Sequence, residues 1–346
     1  MKYFTGSFFV TILGIIAAYF WGEHVQTGSG FLCVFIALIL GILEISLSFD
    51  NAVVNAMKLE KMDKIWEKRF LTWGIAIAVF GMRFLFPLLV VSIFAKLNLL
   101  KVLNIALNNS HEYAHYLHQT HAPIVTFGGA FLLMLFLSYF FDCEKDTHWI
   151  KGVEHCCSAL GNIKDLETII TLLAVFTTQH FVSAEYKTPV LISGIFGVIV
   201  YLGINGVTHW LEKHEEERAK TISLTVKRGG LVAFMYLELI DASFSLDGVL
   251  GAFALSQDIV IITIGLSIGA MFVRSLTVML VEKKTLAQYI FLEHGAHWAI
   301  GALALIMFIS TTVEVPEIIT GLIGLGFIIS ALISSVLHNK KQRDNN

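Results

Sequence analysis

Two short segments carry acids inside otherwise apolar sequence. Leu43-Glu44-Ile45-Ser46-Leu47-Ser48-Phe49-Asp50 sets a glutamate and an aspartate six residues apart, with Asn51 next. Ile240-Asp241-Ala242-Ser243-Phe244-Ser245-Leu246-Asp247 repeats the acid, the two serines and the aspartate in the same register, with Glu238 three residues before Asp241. Carboxylates, hydroxyls and an amide form an all-oxygen ligand set, the kind that hard divalent cations such as Mn2+, Ca2+ or Mg2+ prefer. Neither motif contains Cys or His. Asp50 and Asp247 are the expected central metal ligands, helped by Glu44, Asp241 and Asn51; Glu238 is expected as a ligand or as an arginine partner. Arg83 and Arg274 stand deep in the next apolar runs and serve as the charge partners. A charge at the centre of a membrane helix costs at least about 2.5–3.5 kcal/mol. Five acids against two arginines leave three negative charges, to be balanced by protonation or by a bound cation. Residues six apart on a regular helix differ by about 120° in azimuth. Each helix is therefore expected to break near its second aspartate, which would let freed carbonyls join the carboxylates.

The elements that must hold these residues are membrane helices. The chain has 346 residues, 56% of them hydrophobic, and only 15% are charged. Soluble domains carry about 25% charge. Mean hydropathy is +0.73 and net charge is -3. A soluble enzyme and a nucleic-acid binder are both excluded, and lipid is the expected surrounding. Apolar runs at 4–21, 31–57, 70–94, 123–141, 166–181, 187–210, 229–255, 259–281, 296–311 and 316–337 predict ten spans. The run at 166–181 is the weakest of them. With both termini in the cytoplasm, nineteen Lys and Arg fall inside and three outside, the expected bias for an inner-membrane protein.

The acidic motifs are part of a longer echo. Gly74 to Arg83 corresponds to Gly265 to Arg274, and Gly128–Met134 corresponds more faintly to Gly301–Met307. An odd number of spans separates the copies, so they run in opposite directions. The fold expected is all-α: a polytopic membrane protein of about ten helices with an inverted three-helix repeat. Such repeats place substrate at the bilayer midplane. The whole chain, 1–346, reads as one transmembrane domain. Repeat one is 31–141, a linker with two spans is 142–228, repeat two is 229–311, and the last span and tail are 312–346.

The paired acidic motifs, with FGGAFLLM (127–134), FFD (140–142) and LEHGAHWAIGALALIM (292–307), resemble the TerC family over roughly 31–311, in its larger, uncharacterised branch. The resemblance implies a membrane protein associated with tellurite resistance or manganese export. It also implies ion-site roles for Glu44, Asp50, Asn51, Asp241 and Asp247.

Other polar groups read differently. His111-Glu112-Tyr113-Ala114-His115 fits the HExxH zinc-protease pattern, with His118 and His121 continuing the face. No substrate site accompanies it, so an enzyme is not expected. Glu293, His294 and His297, about one turn apart at the inside mouth of span nine, are candidates for an inner gate, a proton step or an interfacial anchor. Asp142, His148 and Glu154 read as a solvated loop. The four cysteines suggest neither a disulfide framework nor a zinc site. The function expected is export of a divalent cation by alternating access, with the cation as substrate and no tightly bound cofactor. The alternatives are a membrane scaffold in a stress or tellurite-resistance complex and a transporter of a small organic cation.

Overall fold

The computed structural model describes residues 2–60, 62, 64–143, 145, 147–219, 234–235, 237–238, 241, 252, 255–256, 258–283, 289–313 and 315–344. Among them, all regular structure is helical. The helices are α1 (Thr5–Val25), α2 (Gly30–Leu47), α3 (Phe49–Glu60), α4 (Lys64–Ala76), a π-helix (Ile77–Leu85), α5 (Phe86–Phe94), α6 (Leu99–Asn108) and α7 (Ser110–Phe140). They continue with α8 (Lys151–Leu160), α9 (Leu166–Thr178), α10 (Lys187–Ala219), α11 (Ile259–Glu282), α12 (Leu292–Ser310) and α13 (Glu317–Asp344). Six helices are long and apolar enough to cross a membrane: α1, α7, α10, α11, α12 and α13. Two bent pairs, α2 with α3 and α4 with the π-helix and α5, raise the total to eight. The chain is a multi-pass membrane protein, with Phe9, Phe20, Phe35, Ile192 and Leu322 among many large apolar side chains turned outward to lipid.

Of the ten expected spans, 229–255 lies almost wholly outside the described residues. The weak run at 166–181 forms α9, a helix of only 13 residues. That is about 20 Å of rise, short of a bilayer core of about 30 Å. Its neighbours show where it goes. Gly161 packs against the Phe141 carbonyl at one end of α7. Val182 and Tyr186 pack against Ala122 near the other end. The stretch 161–182 therefore returns through the depth that α7 covers between residues 122 and 141. α10 then runs parallel to α7, with Gly194 beside Thr126 and Gly197 beside Phe127 and Ala130.

α7, α11 and α12 form the interior, while α1, α10 and α13 lie on the outside. Small residues set the closest approaches. Gly41 meets Gly265 and Ile268, Gly265 meets Ala37 and Leu40, and Gly269 meets Glu44, so α2 and α11 run parallel with backbones nearly touching. Small-xxx-small spacing on both helices permits this contact, which dispersion and packing favour in lipid. α7 and α12 run antiparallel: Gly128 lies on Met307 and Gly301 on Phe136. Polar ties hold α1 to α11, among them a bond from Ser7 Oγ to the Met271 carbonyl at 2.8 Å. Trp21 Nε1 donates to Asp258 at 2.7 Å, while Ser7 Oγ shares a hydrogen bond with Ser275 Oγ at 2.7 Å. Asp258 also caps α11 by accepting from the Val260 and Ile261 amides.

Candidate functional site

α2 does bend beside its acidic motif. Its axis turns by 55° into α3 around Ser48. The helix bends rather than unwinds: Ser48 N–H donates to the Glu44 carbonyl at 2.9 Å, and Ala52 N–H donates to the Ser48 carbonyl at 3.1 Å. Glu44 thus ends one segment, and Asn51 and Asn55 begin the next on a new axis. The corresponding break expected near Asp247 lies outside the described residues, as does Asp247 itself. Asp50 sits in the first turn of α3, and its side chain is likewise outside them.

The described part of the centre contains three polar units. In the first, the Arg83 guanidinium donates to Glu44 Oε1 as a buried ion pair. Ser48 Oγ donates to the same carboxylate oxygen at 3.2 Å. Arg83 stands on the π-helix, a wide-turn geometry that often marks functional positions. In the second, Asn51 Nδ2 donates to Asp241 Oδ1 at 2.7 Å, and Asn55 Nδ2 donates to Asn51 Oδ1 at 2.8 Å. All three of these residues are buried. Asn51 is thereby the link between the two acidic motifs, 190 residues apart. In the third, the Glu238 carboxylate and the Arg274 guanidinium both lie against Gly74. Neither Glu238 oxygen accepts a hydrogen bond from the described residues, and Arg274 Nε and Nη2 donate none to them. Arg274 instead rests 3.9 Å above the centre of the Phe70 ring, a cation–π contact.

The sequence therefore names the residues that meet here, Glu44, Asn51, Arg83, Glu238, Asp241 and Arg274, but not who pairs with whom. It misses Asn55 and Phe70, a plain amide and a ring that carry no motif. Among the described residues, no three His, Cys, Asp or Glu side chains stand close enough to hold a metal ion. Glu44, Glu238 and Asp241 thus do not form a cation cage by themselves.

A second polar cluster lies where α7 ends and α12 begins, and here the solvated-loop expectation is corrected. Glu154 is 1% exposed. Its carboxylate accepts the Trp298 indole N–H at 3.0 Å and the Trp149 amide at 2.8 Å. A ring from a distant helix covers it, which loop composition does not reveal. His294 and His297 are buried beside it. His297 Nδ1 donates to the Glu293 carbonyl at 2.7 Å, and its ring stacks on Tyr139 at 3.5 Å. Lys145 Nζ stands 3.4 Å from the Tyr139 ring centre. Burial pushes the Lys145 ammonium down to about 8, against the opposing pull of Glu154, Glu293 and Asp142.

The HExxH segment resolves into helix capping and a cavity wall. Glu112 accepts from Asn109 Nδ2 at 2.8 Å, and the Asn109 side chain caps α7. His118 and His121 line a cavity of about 310 Å3 with Phe181, Ser183, Tyr186 and Thr312.

A bundle of membrane-spanning helices around buried acid–arginine pairs defines a polytopic membrane protein with a charged interior. Residues 49–342 match the model of a protein family of unknown function, DUF475, and the chain belongs to that family. This corrects the TerC resemblance, which rested on short motifs between 31 and 311; the family match carries the chain into α13 and leaves Glu44 outside it. No curated protein and no solved structure matches the chain significantly.

Proposed function

We propose that the protein transports a hard divalent cation, with Mn2+, Ca2+ and Mg2+ as the candidate substrates, across the membrane through the acidic centre between α2–α3 and the 237–247 segment. The observation that carries this reading is Glu238: a buried carboxylate in the membrane interior that accepts no hydrogen bond from the described residues. An isolated buried carboxylate is strongly disfavoured unless something balances it. Asp50 and Asp247 would complete the oxygen set around a passing ion, with Glu44 and Asp241 released from Arg83 and Asn51 as the path rearranges. The bend at Ser48 and the π-helix under Arg83 are the places where such rearrangement is least costly.

The packing supports an inverted repeat. Aligning Glu44 with Asp241 makes Gly41 the counterpart of Glu238. Gly74 lies against Glu238, and its counterpart Gly265 lies against Gly41. These reciprocal contacts are what a pseudo-twofold relation between 31–141 and 229–311 would produce, and they suit alternating access. The lysine and arginine bias supports an orientation with both termini on the cytoplasmic side of a bacterial inner membrane, and export is the direction proposed.

The test is total cell metal by elemental mass spectrometry. A strain lacking the protein is complemented with wild type or with Asp50→Asn, under graded manganese, calcium, magnesium and zinc. The expected result is several-fold accumulation of one metal in the Asp50→Asn strain alone, at equal membrane abundance. Equal metal contents would overturn transport of these ions. They would favour a scaffold held by internal ion pairs, a reading for which the closed Glu44–Arg83 pair is the supporting observation.

A further inference from the structure

The cluster at the joint of α7 and α12 has a role of its own. α8 is largely exposed, yet Glu154 from its first turn is buried under Trp298. The segment before it wraps His294, whose Nε2 donates to the Thr147 carbonyl at 2.7 Å. Two imidazoles approach one Glu154 oxygen without closing on it: His294 Nε2 at 3.5 Å and His148 Nδ1 at 3.9 Å. The Nδ1 atoms of both histidines are buried and make no hydrogen bond with the described residues. A site with a buried carboxylate, two imidazoles and two spare ring nitrogens is built to take up a proton.

We propose that Glu154, His148 and His294 form a proton-binding site that latches residues 147–160 across the end of α7 and the start of α12. An added proton makes His148 an imidazolium whose Nδ1–H faces Glu154, and the 3.9 Å approach shortens to a charge-assisted bond. Other charges facing the site, among the described residues, are Glu293 on α12, Asp142 and Lys145 at the end of α7, and Lys58 on α3. Tyr139, His297, His155 and Cys157 are further titratable neighbours among the described residues. The sign follows from the geometry: the latch tightens when an imidazole facing Glu154 takes up a proton and loosens when that proton leaves, so it is tighter in acid than in base. This proposal does not depend on the transport reading.

Hydrogen–deuterium exchange on the purified full-length protein in nanodiscs tests it, with rates corrected for intrinsic pH dependence. Peptides covering 147–158 should be about tenfold better protected at pH 5.5 than at pH 8, as a charge-assisted bond implies. Peptides from α11 should not change. His148→Gln, at a partly exposed position that tolerates substitution, should abolish the difference. Glu154→Gln, which keeps the side-chain shape, should do the same. Protection of 147–158 that is independent of pH in wild type, or an undiminished difference in His148→Gln, would overturn the proposal.

Discussion

Glu44 with Arg83 and Glu238 with Arg274 are the same pair of residue types, both buried between membrane helices, yet they are built differently. Glu44 is held by the guanidinium and by Ser48, so its charge is matched and its lone pairs are used. Glu238 and Arg274 sit on the same glycine without exchanging a hydrogen bond, and the arginine turns to Phe70. A closed pair fixes two helices relative to each other. An open pair leaves a carboxylate that a cation, a proton or the arginine itself can claim. On the transport reading proposed above, the first pair would lock and the second would exchange.

The largest effect should come from the lock. Glu44→Gln removes one member of a buried, hydrogen-bonded ion pair, a change that costs about 3–5 kcal/mol in a low-dielectric interior. Glu238→Gln removes a charge that has no hydrogen-bonded partner to lose, so it should cost at least about 2 kcal/mol less. Thermal unfolding of both variants in the same detergent gives the comparison directly. Equal losses of stability would mean that the two pairs are equivalent in solution, and the assignment of separate roles would fail.

How far this division was legible beforehand depends on the residue. The apolar runs announce the helices because lipid demands uninterrupted hydrophobic length. Arg83 and Arg274 announce themselves because a charge inside such a run needs a reason. The bend near Asp50 followed from helix geometry, since six residues do not return to one face. Pairing was not legible: whether Arg83 reaches Glu44 depends on how α2 meets the π-helix, which is a tertiary fact. Glu154 was misread because a glutamate in a polar loop is usually solvated, and its cover, Trp298, arrives from 144 residues away. The TerC resemblance misled because it rested on a few short motifs, whereas family membership is carried by the length of the chain.

The second prediction probes the open pair through its floor. A methyl at Gly74 would overlap both the Arg274 guanidinium and the Glu238 carboxylate. Both are ends of flexible side chains, so Gly74→Ala should displace them rather than unfold the protein, at about 1–3 kcal/mol. If Glu238 is the exchangeable acid, metal export should fall several-fold while unfolding shifts only modestly. A variant with full export and full stability would show that the glycine is spacing alone.

The smallest effect expected is at the link between the motifs. Asn55 orients the Asn51 amide by donating to its oxygen, and Asn51 in turn holds Asp241. Asn55→Ala removes one hydrogen bond, a net loss of about 0.5–1.5 kcal/mol. Its consequence for function should exceed that figure's modest weight, because the hydrogen bond from Asn55 that helps aim the Asn51 amide at Asp241 is lost. A carboxylate released in this way becomes a second open acid beside Glu238. The half-saturating metal concentration for transport in proteoliposomes should therefore change while the folded fraction stays near wild type. An unchanged value would place Asn55 with Glu44 and Arg83 among the groups that only hold the helices together. The asymmetry between the two motifs would then reside in Glu238 and Arg274 alone.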